Sequence, residues 1–508
     1  MTPILLTLAC ADFELSPSYG PADDNAGWDA DSGSEYEPGD DTGDFGSETE
    51  SDFLKLSPTA TQAYVFVVNS SRNTVSRISV PELDVLTTEV GVNPKVATTS
   101  SDYAKAVVFN AGSDSLSVID AETMESVEVQ IRSNFNNMLL SPDGVWALVY
   151  NDADLPTEGS TGYLQSFNEI SLVNTETGEH SAMAVGFHPR QARFTPDSGQ
   201  LVLVAEQWMA VLDLRVTSLT PQLIELSEDE LDPPAAEEVL IEPTGRFAFV
   251  RQYGETRLAV VDLDEGTLER VDIGLNPTDM DLSADGSQAI VVSRGSGELH
   301  LIDTQDPTGP QRIVALPPSE ILGSLLLSPD GTQGVLYTTA APVARYTTWN
   351  LADDTLTVRR LEKPVASASV SPTGGTLLFF HDETNDPDAA TTSPFHDKPA
   401  ITMVDLDSHL QNALVLPTMP SAAANSHDGH FGFFIMDGVS SLAVLRYDHL
   451  LFDEIALRSE PVHVGVLPES TYAYVNQEHA LGRLSFYDPD TESLQTITGF
   501  ELNAGIEH

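Results

Sequence analysis

The chain of 508 residues holds one cysteine, Cys10, so no disulfide can form within it and no cysteine-based zinc site can exist. Lysine is almost as scarce: Lys55, Lys95, Lys105, Lys363 and Lys398 are the whole set. Against 23 Lys and Arg stand 78 Asp and Glu, for a formal net charge of −55. So anionic a chain repels phosphate backbones, which excludes nucleic acid as a partner. An anionic lipid surface offers it nothing either, so any membrane contact must come through an anchor. No run of about 18 apolar residues is present, and no membrane-spanning helix is expected. Helical periodicity is nearly absent. Neither a Gly-x-Ser-x-Gly elbow, a Cys-x-x-Cys-His haem motif nor a Gly-x-x-x-x-Gly-Lys phosphate loop occurs. Abundant acid with little lysine suits a surface kept soluble in salty medium, where screening weakens self-repulsion.

What is present begins with Met1-Thr2-Pro3-Ile4-Leu5-Leu6-Thr7-Leu8-Ala9-Cys10, a short apolar run ending in a small residue and the sole cysteine. It resembles the end of a bacterial lipoprotein signal peptide, with residues 1–10 as the signal segment and Cys10 as the lipidated residue. It lacks the usual charged start, and Thr7 stands where that motif prefers Leu. Composition then changes abruptly. Residues 12–52 carry 14 Asp or Glu and no Lys, Arg or His. Such a segment cannot bury enough apolar surface to offset its ordering entropy, so 11–52 reads as a disordered acidic tether. The resemblance implies a bacterial cell-envelope protein, lipid-anchored and facing the periplasm or the cell exterior.

Residues 53–508 repeat one unit. A turn signature recurs as Ser141-Pro142-Asp143-Gly144, Ser283-Ala284-Asp285-Gly286, Ser328-Pro329-Asp330-Gly331 and Ser426-His427-Asp428-Gly429, with looser copies between. Proline presets φ, aspartate caps the backbone and glycine takes the positive φ. Short runs rich in β-branched residues follow, such as Gln288-Ala289-Ile290-Val291-Val292 and Leu299-His300-Leu301-Ile302-Asp303. Four short antiparallel strands repeated every 40–50 residues predict an all-β fold, a β-propeller of four-stranded blades. One blade cannot bury both its faces, so stacked neighbours supply the core. Ten blades are expected, starting near 53, 95, 135, 191, 238, 279, 322, 365, 421 and 462, in one closed ring. Asn110-Ala111-Gly112-Ser113-Asp114-Ser115-Leu116-Ser117-Val118-Ile119-Asp120 and the Gly-x-x-Pro elements resemble the YVTN-repeat propellers. That resemblance covers about 450 residues and implies a fold; its members include lactonases and surface-layer proteins, so it selects no function.

With strands a to d counted from the axis outward, a–b and c–d turns share one face of the ring. The b–c loops and d–a crossings share the other. Three long insertions, 152–167, 227–238 and 382–399, all fall on that second face and hold 14 acidic groups in 46 residues. Loops on a regular scaffold are where binding resides. The face is therefore expected to attract a cation or a basic protein or small ligand, in a protein acting as a monomeric, non-catalytic binding scaffold. Two further readings stand beside it: a lactonase-type hydrolase with a site at the channel mouth, and a self-associating surface-layer component. Candidates for ligand contact at the starts of the innermost strands are His188, Arg190, Arg193, Asn276, Asp279 and His463. His381, Asp382, Glu383 and His396 have metal-ligand residue types, though at no named spacing. No cofactor is required, and a divalent cation such as calcium is the possible one.

Overall fold

The computed structural model describes residues 60–499 apart from 71, 153–167, 206, 228–235, 253, 480 and 481. The anchor at Cys10, the acidic tether, and most of the 152–167 and 227–238 insertions lie outside the described residues. The described chain folds into ten antiparallel sheets with strands in consecutive order, and its only helical element is a single turn at Tyr447–His449. It is a β-propeller of ten blades.

Blade 2 shows the plan. Strands a to d are Pro94–Thr99, Lys105–Asn110, Ser115–Asp120 and Ser126–Gln130. Each pairs with the next, as in Ala97 opposite Val108 and Val107 opposite Val118. The b and c strands alternate across the pleat and are buried on both faces, which is why they read as near-continuous apolar runs. Strand d alternates toward solvent. Innermost strands start at 94, 137, 191, 236, 277, 324, 367, 420 and 461 in blades 2 to 10, within a few residues of the sequence expectation. In blade 1 only Tyr64–Asn69, Thr74–Ser79 and Val85–Glu89 are described, with an isolated bridge from Ala60 to Val65. Its expected innermost strand, from about 53, lies outside the described residues.

The core is distributed. Ten buried apolar clusters each combine side chains of two neighbouring blades. Between blades 6 and 7, for example, Ile290, Val292 and Leu299 meet Leu325, Leu336 and Trp349. The cluster that joins blade 10 to blade 1 places Tyr474, Leu484 and Phe486 against Val65, Ile78 and Leu83. That contact closes the ring. Polar bonds add to it along the inner rim: Thr278 Oγ1 donates to Gly323 O at 2.6 Å across blades 6 and 7, and Gln191 Nε2 to Glu237 O at 2.8 Å across blades 4 and 5.

The turns carry the chemistry their sequence promised. In blade 3, Ser141 Oγ donates to Asp143 Oδ1 at 2.6 Å and accepts from Trp146 N at 2.9 Å, while Gly144 takes φ 71°. The same bonds recur at Ser328/Asp330 and Ser426/Asp428. These turns and the c–d turns lie on one face, and the 382–399 insertion joins strands b and c of blade 8 on the other.

Candidate functional site

The Gly-x-x-Pro elements explain two of the sequence candidates. His188 and Asn276, like Asn93, occupy the left-handed region with φ 53°, 49° and 53°, each directly before the proline that leads into an innermost strand. The Asn276 carbonyl accepts Arg294 N at 3.0 Å, and the Asn93 carbonyl accepts Ala111 N at 3.0 Å. A short polar side chain tolerates that conformation, which accounts for the residue type by the turn alone. His188 also stacks on Phe187, with ring centroids 3.8 Å apart.

Asp279 is 1% exposed and committed to the scaffold. One carboxylate oxygen accepts Met280 N at 2.7 Å and the other accepts Leu325 N of the next blade. Beside it, buried Arg251 pairs with Glu238 at 3.1 Å and with Glu237, and reaches Pro277 O at 3.3 Å. Arg190 N joins strand b through Val204 O at 2.9 Å, and Arg193 Nη1 donates to Ala192 O at 3.1 Å. The Arg193 charge faces a network in blade 3 that the sequence reading passed over. There Asn137 Nδ2 donates to Tyr150 Oη and to Asp152 Oδ2, both at 3.1 Å, and Tyr150 Oη lies 3.2 Å from the same carboxylate. Burial, and then Asp152, push the Tyr150 phenol well above its ordinary range, with Arg193 opposing. His463 lies 6.1 Å from the Tyr474 ring, its Nε2 buried without a hydrogen-bond partner, and burial lowers its pKa. His188, Arg190 and Arg193 belong to blade 4, Asn276 and Asp279 to blade 6, and His463 to blade 10. Asn425 closes the innermost strand of blade 9, and its Oδ1 accepts Tyr447 Oη at 2.5 Å.

The insertion 382–399 is a folded platform. Asn385 and Asp397 bond reciprocally, side chain to side chain at 2.6 Å and backbone N to Asn385 Oδ1 at 3.0 Å. Asp386 Oδ2 accepts Ala344 N of blade 7 at 2.9 Å. Beneath it lies Lys363, 2% exposed, whose Nζ donates to Phe395 O at 3.1 Å. Burial lowers the Lys363 pKa, against Asp382, Asp397 and Glu383. A buried lysine among so few was the available signal for this device.

His381 is fully buried, with Nδ1 2.7 Å from Pro364 O and Nε2 2.8 Å from Thr402 Oγ1. A carbonyl can only accept, so Nδ1 carries the proton and Nε2 accepts from the threonine hydroxyl. Both nitrogens are spent, and burial lowers the pKa to about 4. His396 Nδ1 faces Asp397 Oδ2 at 3.0 Å, and Asp382 caps Thr384 N at 2.8 Å. His381, Asp382, Glu383 and His396 therefore do not assemble a ligand set, and among the described residues no group of three or more His, Cys, Asp or Glu is placed to hold a metal.

A polar groove of about 640 Å³ lies on the opposite face, between blades 7 and 8. Strands c and d of blade 7, Arg345–Asn350 and Thr355–Arg360, form one wall, and the 406–409 turn of blade 8 forms the other. The inner part of this interface is apolar, with Val335, Tyr337 and Tyr346 against Leu377, Phe379 and Val404. Farther out, blade 7 presents Thr348, Thr357 and Arg359 instead, and the blades separate. Gln411 Nε2 closes the outer side by donating to Arg360 O at 3.1 Å. Nothing in the sequence distinguished these outer-strand residues from solvated ones.

No protein-family model and no curated protein matches the chain. Solved structures do. The crystal structure of a eukaryotic initiation factor aligns with a TM-score of 0.52 at 11% identity, over 78% of this chain and 96% of its own. Dihydro-heme d1 dehydrogenase NirN, in complex with DHE, aligns with a TM-score of 0.46 at 12% identity, over 80% and 77%. The Myceliophteria thermophila Cps50 (Swd1) β-propeller domain gives 0.34 at 11%, over 63% and 95%. At such identities the likeness concerns the fold alone.

Proposed function

We propose that the protein is a non-catalytic binding scaffold, lipid-anchored at Cys10 in a bacterial envelope, that receives a cationic ligand or basic partner on its long-loop face. The observation that carries this reading is the 382–399 platform. Three of its carboxylates, Asp382, Asp386 and Asp397, hold the loop in shape by accepting from Thr384 N, Ala344 N and Asn385 Nδ2. The other two, Glu383 and Asp388, are exposed and make no hydrogen bond or ion pair among the described residues. A preorganised loop that leaves charges unspent binds at lower entropic cost than a loose one. A hydrolase reading gains nothing comparable, because Asp279 and His381 are both consumed by the fold.

The test uses the full chain, titrated with calcium and with a lysine-rich peptide by calorimetry at low and high salt. Binding by one of them, weakened several-fold by Glu383→Gln with Asp388→Asn and by added salt, supports the reading. Failure of both probes to bind, or equal binding by the double variant, contradicts it. The anchor is tested separately by mass spectrometry of the protein from its native host, where an unmodified Met1 contradicts lipidation.

A further inference from the structure

Neighbouring blades are tied together near their c–d turns by polar side chains. Arg77 Nη1 of blade 1 donates to Ala121 O and Glu122 O of blade 2 at 2.7 and 2.6 Å. Lys105 of blade 2 reaches Thr175 Oγ1 of blade 3 at 3.3 Å, Gln200 of blade 4 reaches Leu263 O of blade 5 at 3.2 Å, and Thr376 of blade 8 reaches Tyr447 O of blade 9 at 3.3 Å. Lys105, Gln200 and Thr376 each open strand b of their blade. Gln333 holds the same place in blade 7, but its side chain makes no such bond; it lines the groove.

Two more groups in the groove are unspent. Arg359 makes one bond, from Nε to Thr348 Oγ1 at 3.4 Å, and no ion pair among the described residues. Its terminal nitrogens are unpaired among the described residues, which leaves the guanidinium fork open to a carboxylate. Across from it, His409 Nδ1 is buried with no hydrogen-bond partner. Burial and then the Arg359 charge lower the His409 pKa, against Asp405 and Asp407, so the ring adds no positive charge to the groove near neutral pH.

We propose that this groove binds a small zwitterion of the free α-amino-acid class, its carboxylate on Arg359 and its ammonium among Asp353 and Asp407. The charge pattern selects that class. A guanidinium fork fits one carboxylate. The two acids that line the same groove would repel a plain anion, and the molecule's overall field would do the same. A plain cation would meet Arg359. A zwitterion adds no net charge and satisfies both signs. Thr348 and Thr357 supply hydroxyls along the wall between. The groove lining contains no Phe, Tyr or Trp, so recognition rests on polar groups.

The experiment titrates the full chain with each proteinogenic amino acid by calorimetry, with propionate and ethylammonium as single-charge controls. At least one amino acid is expected to bind with a Kd below about 1 mM. Propionate and ethylammonium are each expected to bind at least tenfold more weakly. Arg359→Gln should weaken the amino acid tenfold or more, and Asp407→Asn, at an exposed turn position, several-fold; unchanged melting of both variants ties the loss to the groove. Arg359→Lys, which keeps the charge and loses the fork, should fall between. Absence of any binding amino acid, equal binding of propionate, or full affinity in Arg359→Gln overturns the proposal. The site lies on the face opposite 382–399, so Glu383→Gln with Asp388→Asn should leave amino-acid binding unchanged, and either proposal can fail alone.

Discussion

His381 gives the clearest titration in the molecule. Its unfolded imidazole protonates near 6.5 and its folded one near 4, because burial disfavours the charged ring. Between those values the unfolded chain binds more protons, so stability rises with pH across that window and is lost as pH falls through it. Above 6.5 the contribution is complete; by pH 4 it has cost up to about 3 kcal/mol. The turn aspartates Asp285 and Asp330 also have lowered pKa values, led by their serine hydroxyl bonds, but their losses come only below about 3.8. His381→Gln should therefore melt below wild type at pH 7, with the gap narrowing toward pH 4. A gap constant with pH would mean the ring is not held neutral. At this scale the sequence was half legible. It marked His381 and Asp279 as unusual, but a residue type does not reveal whether its atoms face a ligand or a carbonyl of the next strand.

Turns and loops were read with more success, since their requirements are local. Gly331 sits at φ 69°, and an added Cβ would lie 3.1 Å from that of Ala284. Gly331→Ala should lower stability by about 1 kcal/mol in chemical denaturation. Asn276 provides a sharper case, because at the start of an innermost strand it is also a candidate for ligand contact. If the left-handed backbone explains the residue, Asn276→Gly should be neutral within a few tenths of a kcal/mol and Asn276→Val should cost about 1–2 kcal/mol. An equal loss of stability in both would point to the side chain. The folding of 382–399 over Lys363 escaped the sequence, because its bonds to the scaffold span 42 and 32 positions rather than joining neighbours.

Over the whole molecule, blade number followed from counting turns, since each turn must start a new pair of inner strands. Which side chains bridge blades did not follow, because equivalent positions carry Lys105, Gln200, Gln333 and Thr376 with different outcomes. The net charge of −55 also acts at this scale. Self-repulsion is screened by salt, so melting temperature should rise between dilute buffer and 1 M sodium chloride, a salt range over which the Debye length falls to about 3 Å. Equal melting throughout would mean that the charge does not burden the fold. Ring closure underlies the placement of both faces. Gln62 Nε2 of blade 1 bonds Glu469 Oε2 of blade 10 at 2.5 Å, across 407 positions in sequence. Cysteines placed at these two positions, in a chain carrying Cys10→Ser, test it with a short bifunctional thiol cross-linker. A closed ring predicts high-yield intramolecular linkage, seen as a compact band of unchanged monomer mass on a denaturing gel; linkage absent, or only between chains, would contradict the closed ring.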